Sequence, residues 1–313
     1  MILRVALVWA IAFAASAQSY PERPIRLVVP APAGGPTDVP ARVVADGLAP
    51  LLGQRIVVEN RVGAGGLIAA ESVFRAEPDG YTLLFANTSV LVVNPALQPK
   101  TPYDPSAFVP VGFVSDSPQL LIASLKLPVK SVKELVDYAK ANPGKLNFAS
   151  GGVGTLPHLT YELFRMEAGF SAVHIPYPGG APATTALIAG QADVLFDLVR
   201  TKVKSGEVRA LALTGTSRDP DLPDVPTLAE SGYPAVTATS VTSIVAPPGT
   251  PREIAALLNA RLNQLHRSPE FKAKMKSFGA VTRASTPEQL AAWTKQNLAT
   301  WQRVVKASGA TPN

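Results

Sequence analysis

IRLVVPAPAGGPTDVPARVVADGLAPLL, residues 25–52, carries the grammar of the fold in one stretch. Ile25-Arg26-Leu27-Val28-Val29 is a β-rich apolar run of strand length, and it stops at a segment dense in Pro and Gly, residues 30–37. A helical pattern then runs from about Asp38 to Leu52. The same order repeats outward from there. Arg55–Glu59 reads as a second strand followed by a helix over Leu67–Ala76, and Tyr81–Phe85 as a third strand. Later come strands at Leu146–Ala149, Ala172–Ile175, Asp193–Phe196 and Val208–Leu213, with helices near His158–Glu167 and Ala181–Ala189. Helical patterns close the chain at about 251–265 and 286–307, and a helix carrying Lys272, Lys274 and Lys276 precedes the last of them. Strands alternating with helices predict α/β layers. The 30 prolines fall mostly in connections, which suits many short crossovers.

Residues 1–17, MILRVALVWAIAFAASA, read as a signal peptide. Arg4 supplies the positive region, Val5–Ala14 the apolar core, and Ala15-Ser16-Ala17 the small-x-small cleavage site. An apolar run of ~10–12 residues is too short to span a bilayer ~30 Å thick. No Cys follows the site, so a lipid-anchored form is excluded. The expectation is an exported, soluble protein whose mature chain begins near Gln18.

Composition narrows the function classes. With no Cys there is no disulfide framework, thiolate zinc site or Cys nucleophile. The formal charge is +6, but the basic residues are scattered and no basic block interleaves with aromatics, which argues against nucleic-acid binding. A chain of 313 residues is long enough for two α/β domains. Residues 114–121 and 240–248 are the candidate crossings between them. This divides the mature chain into a discontinuous first domain, 18–117 with 245–313, and a second domain, 118–244.

Four loops share one pattern, in which a strand ends, Gly or a small polar residue follows, and a helix begins. They are residues 30–38 (PAPAGGPTD), 87–89 (NTS), 149–155 (ASGGVGT) and 176–181 (PYPGGA). Backbone N–H groups at a helix start lack intrahelical acceptors and the dipole there favours negative charge, so several such loops together suit a carboxylate. Gly admits close approach of the backbone. Asp38 and Asp197 would repel a carboxylate and are expected to cap a helix or to hold a water, hydroxyl or ammonium. Catalytic signatures are missing: there is no H-E-x-x-H, G-x-S-x-G, dinucleotide fingerprint or G-K-[ST] loop. His158 and His174 read as core or helix-surface histidines. No catalysis, metal or cofactor is expected.

At these loops the chain resembles, over roughly residues 20–310, the Bug proteins, periplasmic receptors of tripartite tricarboxylate transporters. The resemblance is carried by YPERPIRLVVPAPAGGPTDVPAR (20–42), VENRVGAGGLIAAESVFRAEPDGYTLL (58–84), NFASGGVGTLPHLTYELF (147–164), PYPGGAPATTALIAGQADVLFD (176–197), LPDVPTLAESGYP (222–234) and APPGTPREI (246–254). It implies a two-domain periplasmic-binding-protein fold, type II-like, with a cleft that closes on a small organic acid held mainly by main-chain groups and waters. Carried over by position, Gly34, Gly35, Thr37 and Asp38 would serve the ligand or its waters, with Ala31 and Ala33 beside them. Asn87, Thr88 and Ser89 would line the same wall. Ser150, Val153, Gly154 and Thr155 would meet a carboxylate from the other domain, next to Tyr177, Gly180 and Ala181, and Asp197 would complete the cleft. Arg61 and Gly63–Gly66 look structural. The chain departs from the family pattern at Ala31 (commonly aromatic), Pro178 (commonly Lys) and Val241 (usually Trp), and the stretch after Asp197 is shorter. The implied role is a monomeric solute receptor handing a carboxylate to membrane permease subunits. A sensor docking on a membrane kinase would use the same fold and cleft.

Overall fold

β1 (Ile25–Val29) and α1 (Asp38–Leu52) lie where the opening stretch predicts them in the computed structural model, which describes residues 20–35, 37–98 and 100–311. The signal peptide and the start of the mature chain at Gln18 lie outside the described residues. The chain continues through β2 (Ile56–Asn60), α2 (Leu67–Phe74), β3 (Thr82–Asn87), a π-helical turn (Ser89–Val93), α3 (Asn94–Leu97) and β4 (Val109–Pro118). β5 (Leu120–Ala123), α4 (Val132–Ala141), β6 (Asn147–Ser150), α5 (Leu156–Ala168), β7 (Val173–Pro176), α6 (Gly180–Ala189), β8 (Val194–Asp197), α7 (Arg200–Lys204) and β9 (Arg209–Leu213) follow. The last part contains β10 (Thr239–Ala246), α8 (Arg252–Leu265), α9 (Pro269–Ser277), β11 (Val281–Thr282) and α10 (Pro287–Ser308).

The strands form two sheets, ordered β11-β4-β10-β3-β1-β2 and β7-β6-β8-β5-β9. Apart from β11 the two orders are the same topology. In each, a first strand (β1 or β6) lies between two strands parallel to it, β2 and β3 or β7 and β8. In each, an antiparallel strand then joins the third to the fourth: β10 between β3 and β4, β5 between β8 and β9. The antiparallel strand always arrives from the other sheet, β5 just after the chain leaves the first sheet and β10 just after it returns.

Two expectations about the crossings change. Gln119 alone separates β4 from β5, so the first crossing is a single residue within 114–121. Most of 240–248, expected as the second crossing, is instead the central strand β10, and the return runs through residues 214–238. The crossings are tied together: Thr214 N–H donates to Gln119 O at 2.9 Å, Gln119 N–H to the Thr214 hydroxyl at 2.9 Å, and that hydroxyl also bonds Ala238 O.

Burial explains the layers. Val44 and Leu48 of α1, Leu27 and Val29 of β1, and Leu258 and Leu262 of α8 share one core. Gly47 allows the close α1–α8 approach, since a Cβ there would lie 2.6 Å from Leu265 Cδ1. α10 opens with a reciprocal cap in which Thr286 accepts from Gln289 N–H and Gln289 accepts from Thr286 N–H. Its buried Trp301 and Val304 join the core that continues under both sheets, and Arg303 reaches Glu167 of α5 at 3.5 Å.

Candidate functional site

The loops singled out in the sequence all follow the C-terminal ends of parallel strands. Residues 30–37 follow β1, Thr88 and Ser89 follow β3, 151–155 follow β6, 177–179 follow β7 and 198–199 follow β8. The first strand of each sheet has its parallel neighbours on opposite sides, so the connections after β1 and β6 leave where the strand order reverses, the usual ligand position in open α/β sheets.

The first loop is held by Asp38. Its carboxylate, 1% exposed, accepts the Gly34 N–H at 2.7 Å, Arg42 Nε at 2.8 Å and Asn60 Nδ2 at 2.8 Å. The other proton of the Asn60 amide goes to Ala31 O at 2.9 Å. Burial alone would raise this carboxyl, but the hydrogen bonds from Arg42, Gly34 and Asn60 outweigh it and hold it at about 2. The charge of Asp38 therefore serves its own loop. Thr37 stands before α1 without a side-chain cap bond, Ala31 packs against the first core, and Ala33 and Gly34 are exposed, with Gly34 at φ 78°. Gly35 N–H closes a turn onto Pro32 O at 3.2 Å.

After β3, Asn87 Oδ1 accepts the Val90 N–H at 3.0 Å and so caps the π-helical turn. The Thr88 hydroxyl, expected to line the cleft, is buried (3% exposed) and bound to β10: it accepts Val241 N–H at 2.7 Å and donates to Thr239 O at 3.1 Å. Ser89 is half-buried.

In the third loop Ser150 is fully buried. Its Oγ lies 3.0 Å from Gly152 O, accepts Gly152 N–H at 3.1 Å and stands 2.7 Å from His174 Nε2. The Gly154 N–H donates to His158 Nδ1 at 3.0 Å, and Thr155 Oγ1 donates to Gly152 O at 2.8 Å. Gly154 (φ 73°) touches the first half of the chain, where a Cβ would fall 2.9 Å from Leu97 Cδ1. Val153 is half-buried between these glycines.

The fourth loop packs on the third, backbone to backbone. Tyr177 N–H donates to Ser150 O at 2.9 Å, and a Cβ on Gly151 would come within 3.0 Å of Gly180 N. Gly180 and Ala181 are exposed in the first turn of the ten-residue α6, where N–H groups have no intrahelical acceptor. Asp197 closes this corner: Oδ2 accepts from Thr184 Oγ1 at 3.0 Å and Oδ1 from Leu198 N–H at 2.6 Å, beside Gly180.

Sequence reasoning missed the groups that support these loops, namely Arg42, Asn60, Thr184, His158 and His174. Arg42 is the only one with a local signal, four residues after Asp38 on one helix face. A separate surface groove of about 700 Å³ involves Tyr20, Arg23, Tyr81 and Ile254. Tyr20 and Tyr81 precede β1 and β3, so the groove lies at the strand ends away from the loops and is not the site argued here. Among the described residues no helix is long and apolar enough to cross a membrane.

Comparison with known proteins agrees with the fold. The family model described as "Tripartite tricarboxylate transporter family receptor" matches residues 40–310. BugT of Bordetella pertussis is 39% identical over 305 residues, covering 96% of this chain and 94% of the relative. The solved periplasmic binding protein BugD superposes with a TM-score of 0.72 at 38% identity, covering 94% of this chain and all of that one. Rpa4515 of R. palustris, solved with adipate, superposes with a TM-score of 0.76 at 34% identity, again covering 94% and 100%.

Proposed function

This chain belongs to the tripartite tricarboxylate transporter receptor family, whose solved relatives include the periplasmic binding protein BugD, and from that premise we propose that it is a two-lobed receptor that captures a small mono- or dicarboxylate and delivers it to membrane permease subunits. The lobes follow the sheets: one holds the strands up to Pro118 and from Thr239 onward, the other those from Leu120 to Leu213. The ligand lies between them, against the loops after β1, β3, β6, β7 and β8. The chain works after export, as a monomer, and performs no catalysis.

One observation carries the reading: glycine-rich loops of one pattern end β1 and β6, the corresponding first parallel strands of two sheets with the same topology. None of the four loops holds an Arg or Lys. The carboxylate is therefore met by N–H groups in the exposed first turn of α6, around Gly180 and Ala181, by hydroxyls and by water. Asp38, Thr88 and Ser150, whose polar atoms are engaged inside the protein, shape the walls. Ala31 and the short connection after Asp197 leave room for a longer or bulkier acid. Adipate in the R. palustris relative supports the ligand class.

A thermal-shift screen of mono- and dicarboxylic acids against their amides tests this. A ligand at a hundred times its Kd adds about 2.7 kcal/mol to stability, enough to read as a shift in Tm. At least one acid should raise Tm and its amide should not. Equal shifts from acid and amide would refute carboxylate recognition.

A further inference from the structure

Two histidines that the receptor reading does not use lie directly beneath the third loop. His158 is the third residue of α5, 5% exposed, and its Nδ1 accepts the Gly154 N–H at 3.0 Å. His174 on β7 brings Nε2 to 2.7 Å from Ser150 Oγ at the end of β6. The two rings stack, centroids 4.0 Å apart and planes 12° from parallel. One ring thus grips the loop near its end, the other grips the residue from which it starts, and each ring supports its partner.

The geometry requires an unprotonated Nδ1 on His158 and disfavours charge on both rings at once. Nδ1 of His158 accepts only when it carries no proton, and two imidazolium rings stacked at this distance would repel. Burial, the largest influence, pushes both rings down to about 4; Arg165 adds to this at His158, and His158 adds to it at His174. The charged groups around the pair are accounted for. Glu162 Oε1 lies 3.9 Å from His158 Nε2, but that carboxylate is bound by Arg165 at 2.5 Å. Tyr161, 6.4 Å from the His174 ring, donates its hydroxyl proton to Ala172 O, and β6 presents Phe148 and Ser150. From α10, Arg303 faces Glu167.

We propose that the His158–His174 stack is the positioning element of the third ligand loop, and that a proton taken up on Nδ1 of His158 releases Gly154 and loosens residues 151–155. The inference rests on the receptor reading only in treating this segment as a ligand loop; the hydrogen bonding and its test need no ligand.

The chain has three histidines, so long-range 1H–15N NMR of the full-length protein resolves each ring, and single substitutions assign them. At pH 7, His158 should carry its proton on Nε2 with Nδ1 unprotonated, and it should titrate well below an exposed histidine. The Gly154 amide resonance should move with the same midpoint. A proton on Nδ1 at pH 7, or a midpoint near 6.5, would overturn the proposal. In hydrogen exchange, His158→Leu should raise the rate of residues 151–155 at least tenfold. His158→Asn, whose amide oxygen can accept in place of Nδ1, should keep the wild-type rate. Unchanged exchange in His158→Leu, or exchange in His158→Asn as fast as in His158→Leu, would refute positioning. Should His158→Leu fail to fold, the wild-type titration still decides. Failure to find any carboxylate ligand would sink the receptor reading and leave these readouts untouched.

Discussion

Replacing Asp38 by Asn removes one charge from the first loop while keeping nearly the same shape. The carboxylate receives three hydrogen bonds, from Gly34 N–H, Arg42 Nε and Asn60 Nδ2. They hold its folded-state value at about 2, against an ordinary 3.8. For a buried carboxyl that difference favours the folded state by about 2.5 kcal/mol at neutral pH. The folded value lies below the unfolded one, so the contribution is complete above about pH 5. It is about half by pH 3 and disappears as the pH falls through 2. In the variant an amide NH2 would also face one of these donors. Asp38→Asn should therefore cost about 2–3 kcal/mol at pH 7, and the gap to wild type should narrow from pH 5 to pH 3. Urea unfolding followed by circular dichroism on both chains across that range measures it, and any other acid-sensitive group cancels in the difference. A loss under about 0.5 kcal/mol at pH 7, or a gap that does not narrow, would refute the account of Asp38 as the charge that holds the loop.

Three further outcomes are expected. His158 and His174 are held near 4 when folded, against 6.5, so the unfolded chain takes up protons first. Stability should fall as pH drops from 6.5 to 4, by up to about 1.4 kcal/mol per pH unit for each histidine, and His158→Asn should flatten the urea-unfolding profile there. Thr88→Val leaves the buried Val241 N–H without its acceptor and should cost about 1–3 kcal/mol by urea unfolding, with Thr88→Ser closer to wild type. N-terminal sequencing of periplasmic protein should begin at Gln18 or within a few residues of it; a functional cytoplasmic protein that retains Met1 would contradict export.

The parallel strands were legible because they are short apolar runs between Pro and Gly, and β1 and α1 fall at the predicted residues. β10 was not. Its Thr239, Ser240, Thr242 and Ser243 break the apolar alternation, and at Thr242 a polar match across the sheet accommodates this, where Ser115 Oγ and Thr242 Oγ1 meet at 2.7 Å. α4 went unread although Ser131 and Glu134 form a local cap signature: Ser131 Oγ accepts the Glu134 N–H, and the Glu134 carboxylate accepts the Lys130 N–H. In the site, the loops and their order were visible from Gly or small polar residues placed after the strands. The roles of Asp38, Thr88 and Ser150 were not, since Asn60, Val241 and His174, which bind their side chains, are 22, 153 and 24 residues away.

Native mass spectrometry of the protein, freshly purified from the periplasm, most directly tests whether this chain is a carboxylate receptor. The account predicts a bound small acid, retained in the folded protein, released on denaturation, and shown by its fragments to carry at least one carboxyl group. A released solute with no carboxyl group would contradict it.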